Sequence, residues 1–319
     1  MIGIYGAGAF GTALAIAFSS KGQKVLLCGR DDSAMRAMDT SRENARYLPD
    51  VEIPSSVEVT ADVSAISKVE TLLFAIPAQK LRDGLDRVKP QNMLVLCAKG
   101  IDQQSGQRQS EIAAGYLPED QIAVLSGPSF AQEIAKGHPT ALTIACRNRE
   151  HLSQLQETLS TKTIRPYANQ DVVGVELGGA LKNVYALACG MVAGAELGES
   201  ARASLMTRSF SEMANFAQLY GAEKSTLFGL SGFGDLVLSA SSMKSRNFAH
   251  GFEIARRGSF EPSNTVEGIA TTHALARLGR EKGVDLPICF ALAAFLKGAL
   301  TMSEIQEAML SRPLRDEQS

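Results

Sequence analysis

The first eleven residues constrain the fold of this chain more than any other stretch. Residues 1–5 form a short apolar run that predicts a buried strand, and glycines follow at positions 6, 8 and 11. Residues 12–20 have the apolar spacing of a helix, so the pattern is strand, tight turn and helix. In such a turn Gly6 permits the bend, Gly8 lets a pyrophosphate approach the backbone, and Gly11 lets helix and strand pack closely. The turn predicts a dinucleotide site; a purely structural turn is the alternative.

Length and composition indicate a soluble globular protein with two domains. The 319 residues exceed one typical core, and a net charge of −2 leaves no basic excess for nucleic acid. The five cysteines are scattered and form no C-x-x-C pair, which favours a reducing cytoplasm. The four histidines lack the spacing of zinc ligands, so no metal site is predicted. The apolar stretch 184–195 is too short to span a bilayer, so no membrane span is predicted.

Strand-like and helix-like segments alternate along the first half, which predicts a doubly wound parallel sheet. The predicted strands after the first are 25–28, 71–76, 93–97, 122–125 and 141–146. Beyond about residue 171 helical spacing dominates. We therefore expect a dinucleotide-binding domain, residues 1–175, and a helical domain with substrate-binding and catalytic residues, 176–319.

Ligands of an open parallel sheet collect beyond the carboxyl ends of its strands, so the residues that follow each strand are candidates. Arg30 follows the second strand; it can stack on adenine or pair with a 2′-phosphate, which favours NADP, or it is simply solvated. Lys99 follows a central strand, which predicts a site lysine rather than an exposed one. Ser129 lies in the turn 126–131, where it fits either an anion site at a helix N-terminus or a capping box with Gln132.

The most informative later stretch is residues 175–186, a predicted helix with Lys182 near its middle. Gly178 and Gly179 share its face one turn earlier. Glycines there cost roughly 1 kcal/mol each relative to alanine, which makes sense if another backbone or a cofactor comes close. A lysine desolvated on this face has a lowered pKa that suits a general base. The alternative is an ammonium group that reaches water.

Two further segments bring polar groups to the starts of helices. Asp235 follows the glycine-containing turn 231–234 and is either a helix N-cap or a site residue. Ser245, Arg246 and Asn247 precede another predicted helix. A planar guanidinium with short polar donors beside it suits a phosphate monoester.

Taken together, these motifs resemble the bacterial NAD(P)-dependent glycerol-3-phosphate dehydrogenases. The matching segments are 6–14, 47–49, 98–100, 126–131, 178–183, 232–236, 245–247 and 266–268. The resemblance implies a Rossmann-type doubly wound α/β domain followed by an all-α domain. It implies hydride transfer between sn-glycerol 3-phosphate and dihydroxyacetone phosphate with NAD(P), to supply glycerol 3-phosphate for phospholipid synthesis. Within that pair of cofactors, Arg30 favours NADPH over NADH. It also implies a homodimer.

The resemblance further implies roles for individual residues. Lys182 is the implied proton acceptor in alcohol oxidation, with Lys99 and Asp235 completing the catalytic group. The implied substrate contacts are Lys99, Gly127, Ser129, Lys182, Asp235, Ser245, Arg246 and Asn247. The cofactor contacts, those of the glycine turn included, are Gly6, Gly8, Ala9, Phe10, Gly11, Arg30, Lys99, Ala131, Arg246 and Glu267.

Two other functions fit parts of the pattern. A β-hydroxyacid dehydrogenase also joins a dinucleotide fold to a helical domain with a lysine, but its substrates carry a carboxylate instead of a phosphate. A non-catalytic NADP-sensing module has no need for a lysine on a glycine-lined helix face. Turnover of glycerol 3-phosphate compared with 3-hydroxy acids tests the first alternative, and NAD(P)H absorbance followed with dihydroxyacetone phosphate tests the second.

Overall fold

The computed structural model describes residues 1–258 and 266–310, so residues 259–265 and 311–319 of the predicted second domain lie outside the described part. The strands are β1 (Ile2–Tyr5), β2 (Val25–Cys28), β3 (Glu43–Asn44), β4 (Leu48–Glu52), β5 (Val57–Thr60), β6 (Thr71–Phe74), β7 (Met93–Leu96), β8 (Ile122–Ser126), β9 (Thr140–Cys146) and β10 (Ile164–Asn169).

The helices of the first half connect these strands and are mostly short. They are α1 (Ala9–Ser19), α2 (Asp32–Ser41), α3 (Val63–Ile66), α4 (Leu81–Val88), α5 (Gln109–Ala113), α6 (Ala131–Ala135) and α7 (Arg149–Leu159). The second half contains α8 (Val172–Gly194), α9 (Glu199–Gln218), α10 (Lys224–Leu227), α11 (Asp235–Ala240), α12 (Arg246–Arg257), α13 (Glu267–Lys282), α14 (Pro287–Leu296) and α15 (Met302–Leu310). One π-helical turn, Leu230–Gly234, precedes α11.

Eight strands form one sheet in the order β10-β9-β8-β7-β6-β1-β2-β5. The six from β8 to β5 are parallel, and their central members are apolar along their length because both sheet faces are covered. The strand order reverses between β1 and β6, and ligands of open α/β sheets bind in the crevice at such a reversal. The predicted doubly wound α/β domain followed by a helical domain is confirmed.

The expected strand at 141–146 is present as β9, but it and β10 run opposite to the other six strands. β9 pairs antiparallel with β8, Ala123 lying opposite Cys146. The chain between these strands contains only the five-residue α6, which packs on α1 instead of crossing the sheet. β9 therefore begins at the same end of the sheet at which β8 finishes, and it runs back antiparallel to β8.

α8 is the central helix of the second half. It has 23 residues, nearly all of them buried, and it packs against α9, α11, α12, α13 and α14 as well as strand β8. It is long and apolar enough to cross a membrane by composition alone, but its apolar window is buried inside the protein. α8 is therefore a core helix, about twice as long as the apolar stretch recognised in the sequence.

A buried ion pair joins the first turns of α8 to the α/β domain. Glu176 is 4% exposed and accepts hydrogen bonds from the Arg108 guanidinium (3.2 Å) and the Ser110 backbone N–H (2.8 Å). Removal from water raises the pKa of Glu176, and the charge of Arg108 opposes that shift. The proposed domain boundary at residue 175 thus lies within α8, one residue before this contact.

Candidate active site

Two lysines from different domains share one buried carboxylate. Lys99, just beyond β7, donates from Nζ to Asp235 Oδ2 at 2.7 Å, and Lys182 on α8 donates from Nζ to Asp235 Oδ1 at 2.9 Å. Asp235 is 1% exposed and Lys182 is 8% exposed. Lys182 therefore does not extend into water. The adjacent turns of its own helix carry no carboxylate, and its partner Asp235 belongs to α11.

The charges of this group contribute to the pKa values of Lys182 and Asp235. Burial lowers the pKa of Lys182; the charge of Asp235 raises it, and Lys99 lowers it further, so that the net shift is downward. Burial raises the pKa of Asp235, but the two ammonium groups outweigh burial and lower it below the ordinary carboxyl value. Asp235 is thus ionised at neutral pH, and Lys182 loses its proton more easily than an exposed lysine.

Two site residues were missed from the sequence. Ser239 lies one turn after Asp235 on α11, is 2% exposed, and accepts a hydrogen bond from Lys182 Nζ at 2.6 Å. The i, i+4 spacing was the available signal. Asn183 follows Lys182 and donates from Nδ2 to the Lys99 backbone carbonyl at 2.8 Å, which holds the Lys99 loop against α8.

The two helix glycines are explained by contacts within the protein. A Cβ on Gly178 would lie 2.8 Å from the Ser231 carbonyl oxygen, and a Cβ on Gly179 would overlap Ser126 Oγ and lie 3.5 Å from Lys99 Cγ. Both glycines therefore let α8 approach the π-helical turn and the carboxyl ends of β7 and β8. This close approach brings Lys182 to the edge of the sheet.

The turn after β8 contributes backbone and hydroxyl groups next to Lys99. Gly127 has a positive φ of +133°, and its carbonyl accepts hydrogen bonds from Lys99 Nζ (2.8 Å) and Ser129 Oγ (3.3 Å). The capping box of Ser129 with Gln132 is wrong, because α6 begins at Ala131 after Phe130 and has no side-chain cap. Ala131 lies at the first turn of α6, which packs on α1.

The starts of α12 and α13 lie on the other side of the lysines. Ser245 caps α12, accepting a hydrogen bond from the Phe248 N–H, and Arg246 is exposed at the first helical position. Asn247 donates to Asn183 Oδ1 and accepts from the Gly268 N–H, both at 2.9 Å. Both the nitrogen and the oxygen of the Asn247 side-chain amide therefore already form a hydrogen bond within the protein.

Glu267 opens α13 and reaches the sheet. Its carboxylate accepts a hydrogen bond from the Ala78 N–H, just beyond β6, at 3.5 Å. Burial raises the pKa of Glu267, and the positive charge of Arg246 opposes that shift most strongly. A Cβ on Gly100, next to Lys99, would lie 2.9 Å from Ala78 Cβ. Glu267 and the lysines thus meet along the carboxyl ends of β6 and β7.

The glycine turn lies at the same edge, one strand further along the sheet. Gly6 has a φ of +119°, and a Cβ there would lie 2.5 Å from the Ala75 carbonyl oxygen. A Cβ on Gly11 would overlap the Gly6 carbonyl oxygen. Both glycines are therefore required by the strand, turn and helix themselves. Phe10 is partly buried against the core of this domain.

This turn fits the pyrophosphate of a dinucleotide. The N-terminus of α1 has Gly8 as its N-cap, no side-chain cap and no acidic residue in its first turn, so its first N–H groups and positive dipole end suit an anion. A Cβ on Gly8 would meet no described atom within 4 Å. Ala9 is partly buried at the first position of the helix.

Arg30 lies beyond β2 with an exposed side chain. No hydrogen bond or ion pair joins its guanidinium to any residue in the described ranges. The neighbouring Asp31 is occupied as the cap of α2, accepting from the Ala34 N–H (3.1 Å) and the Ser33 hydroxyl (2.7 Å). A cation, and not a carboxylate, is thus available at the end of β2.

The comparisons with known proteins agree along the whole chain. Residues 1–152 match the family described as NAD-dependent glycerol-3-phosphate dehydrogenase N-terminus, and residues 171–307 match its C-terminus. A glycerol-3-phosphate dehydrogenase (NAD(P)+) of Roseobacter denitrificans is 48% identical over 319 residues, which cover 99% of each chain. That of Rhodospirillum rubrum is 43% identical, over 99% of this chain and 93% of its own length.

A solved structure shows the same architecture. The crystal structure of glycerol-3-phosphate dehydrogenase from Coxiella burnetii superimposes with a TM-score of 0.89 and 32% identity, over 97% of each chain. Both halves of the fold therefore occur together in a known enzyme family. The chain belongs to the family of NAD-dependent glycerol-3-phosphate dehydrogenases.

Proposed function

We propose that this chain interconverts sn-glycerol 3-phosphate and dihydroxyacetone phosphate, with Lys182 transferring the proton of the C2 oxygen. The single observation that carries this mechanism is the buried Lys182, paired with Asp235 beside Lys99 at the edge of the sheet. When bound, the nicotinamide ring supplies the two-electron redox chemistry at C2. The residues of the chain bind and orient the substrate, and Lys182 transfers the proton.

Lys182 acts as a base in one direction and as an acid in the other. In alcohol oxidation, neutral Lys182 accepts the hydroxyl proton; in ketone reduction, its ammonium form donates a proton to the oxygen that develops negative charge. The lowered pKa of Lys182 brings both forms closer to the working pH. Asp235 and Ser239 hold the amine in place through hydrogen bonds of 2.9 and 2.6 Å.

The phosphate of the substrate is assigned to the start of α12. The exposed guanidinium of Arg246 suits a phosphate through paired charge-assisted hydrogen bonds, and the N-terminus of α12 adds a favourable dipole. Lys99 supplies a second cation; when Lys182 is in its ammonium form, as ketone reduction requires, Asp235 balances only one of the two charges, and positive charge remains for an anionic substrate. Ser129, Gly127, Ser245 and Asn247 are assigned as further substrate contacts, and Glu267 and Ala131 as cofactor contacts.

The mechanism is tested by Lys182→Ala. We expect turnover in both directions to be abolished, because no other group in the described site is placed to transfer the proton from the same position. Binding of NADH or NADPH, measured by nicotinamide fluorescence, stays nearly unchanged. The matched control is Lys80→Ala, which removes an exposed lysine paired with Asp83. Loss of turnover and cofactor binding together would instead make Lys182 a structural residue.

We also propose that NADPH is favoured over NADH, on the basis of the exposed, unpaired Arg30 beyond β2. Arg30→Ser is expected to weaken NADPH binding by about tenfold or more, since hydrogen bonds to charged groups contribute about 1.5–3 kcal/mol. NADH binding changes by less than about threefold, because it lacks the 2′-phosphate. Arg36→Ser, on the exposed face of α2, is the control. Equal losses for both cofactors would indicate stacking on adenine instead.

We assign the protein to the cytoplasm, since all five cysteines are buried free thiols and none needs an oxidising compartment. The homodimer remains a prediction, which sedimentation equilibrium of the purified protein tests directly. A purely monomeric protein over the concentration range used for turnover would exclude it.

A further inference from the structure

A small hairpin outside the main sheet contacts the glycine turn through one buried side chain. β3 and β4 form a separate antiparallel pair, which carries the motif at residues 47–49 that no site role has yet explained. Leu48 is 3% exposed and belongs to the core of the α/β domain, so the hairpin is packed down onto that domain. Asn44, on β3, is also 3% exposed.

The side-chain amide of Asn44 makes three hydrogen bonds. Nδ2 donates to the Ala7 carbonyl at 3.0 Å and to Thr12 Oγ1 at 2.8 Å, and Oδ1 accepts from the Tyr47 N–H at 3.3 Å. The opposite amide orientation would place Oδ1 against the Ala7 carbonyl and NH₂ against the Tyr47 N–H. The surroundings of Asn44 therefore determine which way its amide points.

The bond to Ala7 determines the direction of one peptide unit in the glycine turn. The Ala7 carbonyl and the Gly8 N–H belong to the same planar, trans peptide, so they point in opposite directions. Asn44 holds the carbonyl toward the hairpin, and the Gly8 N–H consequently points away from it. Within the described residues no acceptor bonds to that N–H, and a Cβ on Gly8 would meet no atom within 4 Å.

We propose that Asn44 is a positioning residue of the dinucleotide site: it orients the Ala7–Gly8 peptide so that the Gly8 N–H faces the cofactor pyrophosphate. This inference rests on the proposed assignment of the glycine turn to the cofactor. Without the amide, the Ala7 carbonyl loses the donor that holds it, and the peptide is free to turn an oxygen toward the phosphates. Asn44 acts through the backbone of Ala7 and Gly8 and does not itself contact the reacting atoms.

The test is Asn44→Asp, which keeps the size of the side chain and the acceptor for Tyr47 but removes both donors. We expect the affinity for ADP-ribose, by calorimetry, and for NADPH, by fluorescence, to fall together by about fivefold or more, because the hydrogen bond of about 1 kcal/mol that holds the Ala7 carbonyl, and with it the Gly8 N–H, is lost. At saturating cofactor, kcat and the KM for glycerol 3-phosphate change by less than about threefold.

Two controls separate positioning from general stability. Asn92→Asp makes the same chemical change just before β7, at the amino ends of the strands and away from the glycine turn. There Asn92 Nδ2 donates to the Lys68 and Val69 carbonyls (3.2 and 3.1 Å). Thr12→Val removes the second acceptor and leaves the Ala7 bond. Both variants are expected to bind ADP-ribose within about threefold of the parent. If Asn44→Asp does not fold, Asn44→Ala removes the same donors without adding a charge or another donor and gives the same measurement.

The outcomes also separate this inference from the assignment of the cofactor site. Gly8→Val fills the open side of the turn and should abolish ADP-ribose binding if the turn holds the pyrophosphate. If Gly8→Val leaves binding unchanged, the assignment of the turn fails and the inference fails with it. If Gly8→Val abolishes binding while the Asn44 variants bind normally, or lose kcat alone, the positioning role of Asn44 is overturned and the cofactor site stands.

Discussion

Asp235 dominates the electrostatics of the candidate site at the scale of single residues. Its buried carboxylate accepts hydrogen bonds from both Lys99 and Lys182. Its charge opposes the two effects that lower the pKa of Lys182, namely burial and the neighbouring ammonium group of Lys99. Asp235 therefore influences the pH at which Lys182 changes between its acidic and basic forms.

This influence predicts a shifted pH profile for Asp235→Asn. Without the negative charge, the pKa of Lys182 falls further, because burial and Lys99 remain. Oxidation of glycerol 3-phosphate needs the neutral amine and rises with pH through this pKa, so its rising limb moves to lower pH. Reduction of dihydroxyacetone phosphate needs the ammonium form, so its falling limb also moves to lower pH. The measurement is kcat against pH in both directions.

The wild-type profile and the circular dichroism of the variant provide the controls. A folded variant whose limbs stay in place, or move to higher pH, would show that another group titrates in the wild-type profile.

The sequence predicted which residue types belong to the site but not how they contact each other. Lys182 and Asp235 are 53 positions apart, and only tertiary packing brings α11 against α8. The pairing of one carboxylate with two lysines depends on that packing, as does the role of Ser239. By contrast, the glycines at 6 and 11 were predictable, since their function lies within one local turn.

At the scale of elements, the close approach of α8 to the sheet depends on two glycines, Gly178 and Gly179. Gly179 lies against Ser126 at the end of β8 and near the Lys99 side chain. A side chain at this position needs the space of Ser126 Oγ, so either that hydroxyl turns aside or the helix that carries Lys182 moves back from Lys99. Packing and catalysis are therefore linked at this contact.

Gly179→Ala is predicted to lower the free energy of unfolding by about 1–3 kcal/mol, the usual range for an overpacked core. In open space the same change would stabilise the helix by about 1 kcal/mol. Activity falls as well, since the lysines are displaced. Urea unfolding and steady-state kinetics measure the two effects.

The matched control is the double variant Gly179→Ala with Ser126→Gly. It removes the overlapping hydroxymethyl group and should recover most of the lost stability. A single variant as stable as the parent would mean that Ser126 moves aside at no cost.

Edge elements were the least predictable part of the fold. β5 has one buried residue of four, and β10 contains Pro166 and four residues that are not buried. Neither shows the apolar run that identified the central strands, because one side of an edge strand is left unpaired and partly exposed. The reversal of β9 depends on where α6 packs, which sequence periodicity does not encode.

At the scale of the whole molecule, all five thiols lie in the interior. Burial raises the pKa of Cys28 to about 11 and those of Cys97 and Cys189 to about 12. Because the thiolate is the reactive form, these cysteines are protected both by access and by ionisation.

The native protein is therefore predicted to react only slowly with a disulfide reagent such as dithionitrobenzoate at mildly alkaline pH. In concentrated guanidinium chloride all five thiols should react rapidly. The release of thionitrobenzoate with time measures both. Rapid reaction of one or more thiols in the native protein would reveal local opening of the core.

The contact of Glu176 with Arg108 and Ser110 has a mechanical consequence. It anchors the first turns of α8 to the sheet domain, although these turns belong in sequence to the helical half. Since α8 is one continuous helix, we expect Lys182 to keep its place relative to the sheet when other parts of the helical half move. We therefore expect the position of the Lys182 amine relative to the sheet to be the same with and without bound substrate.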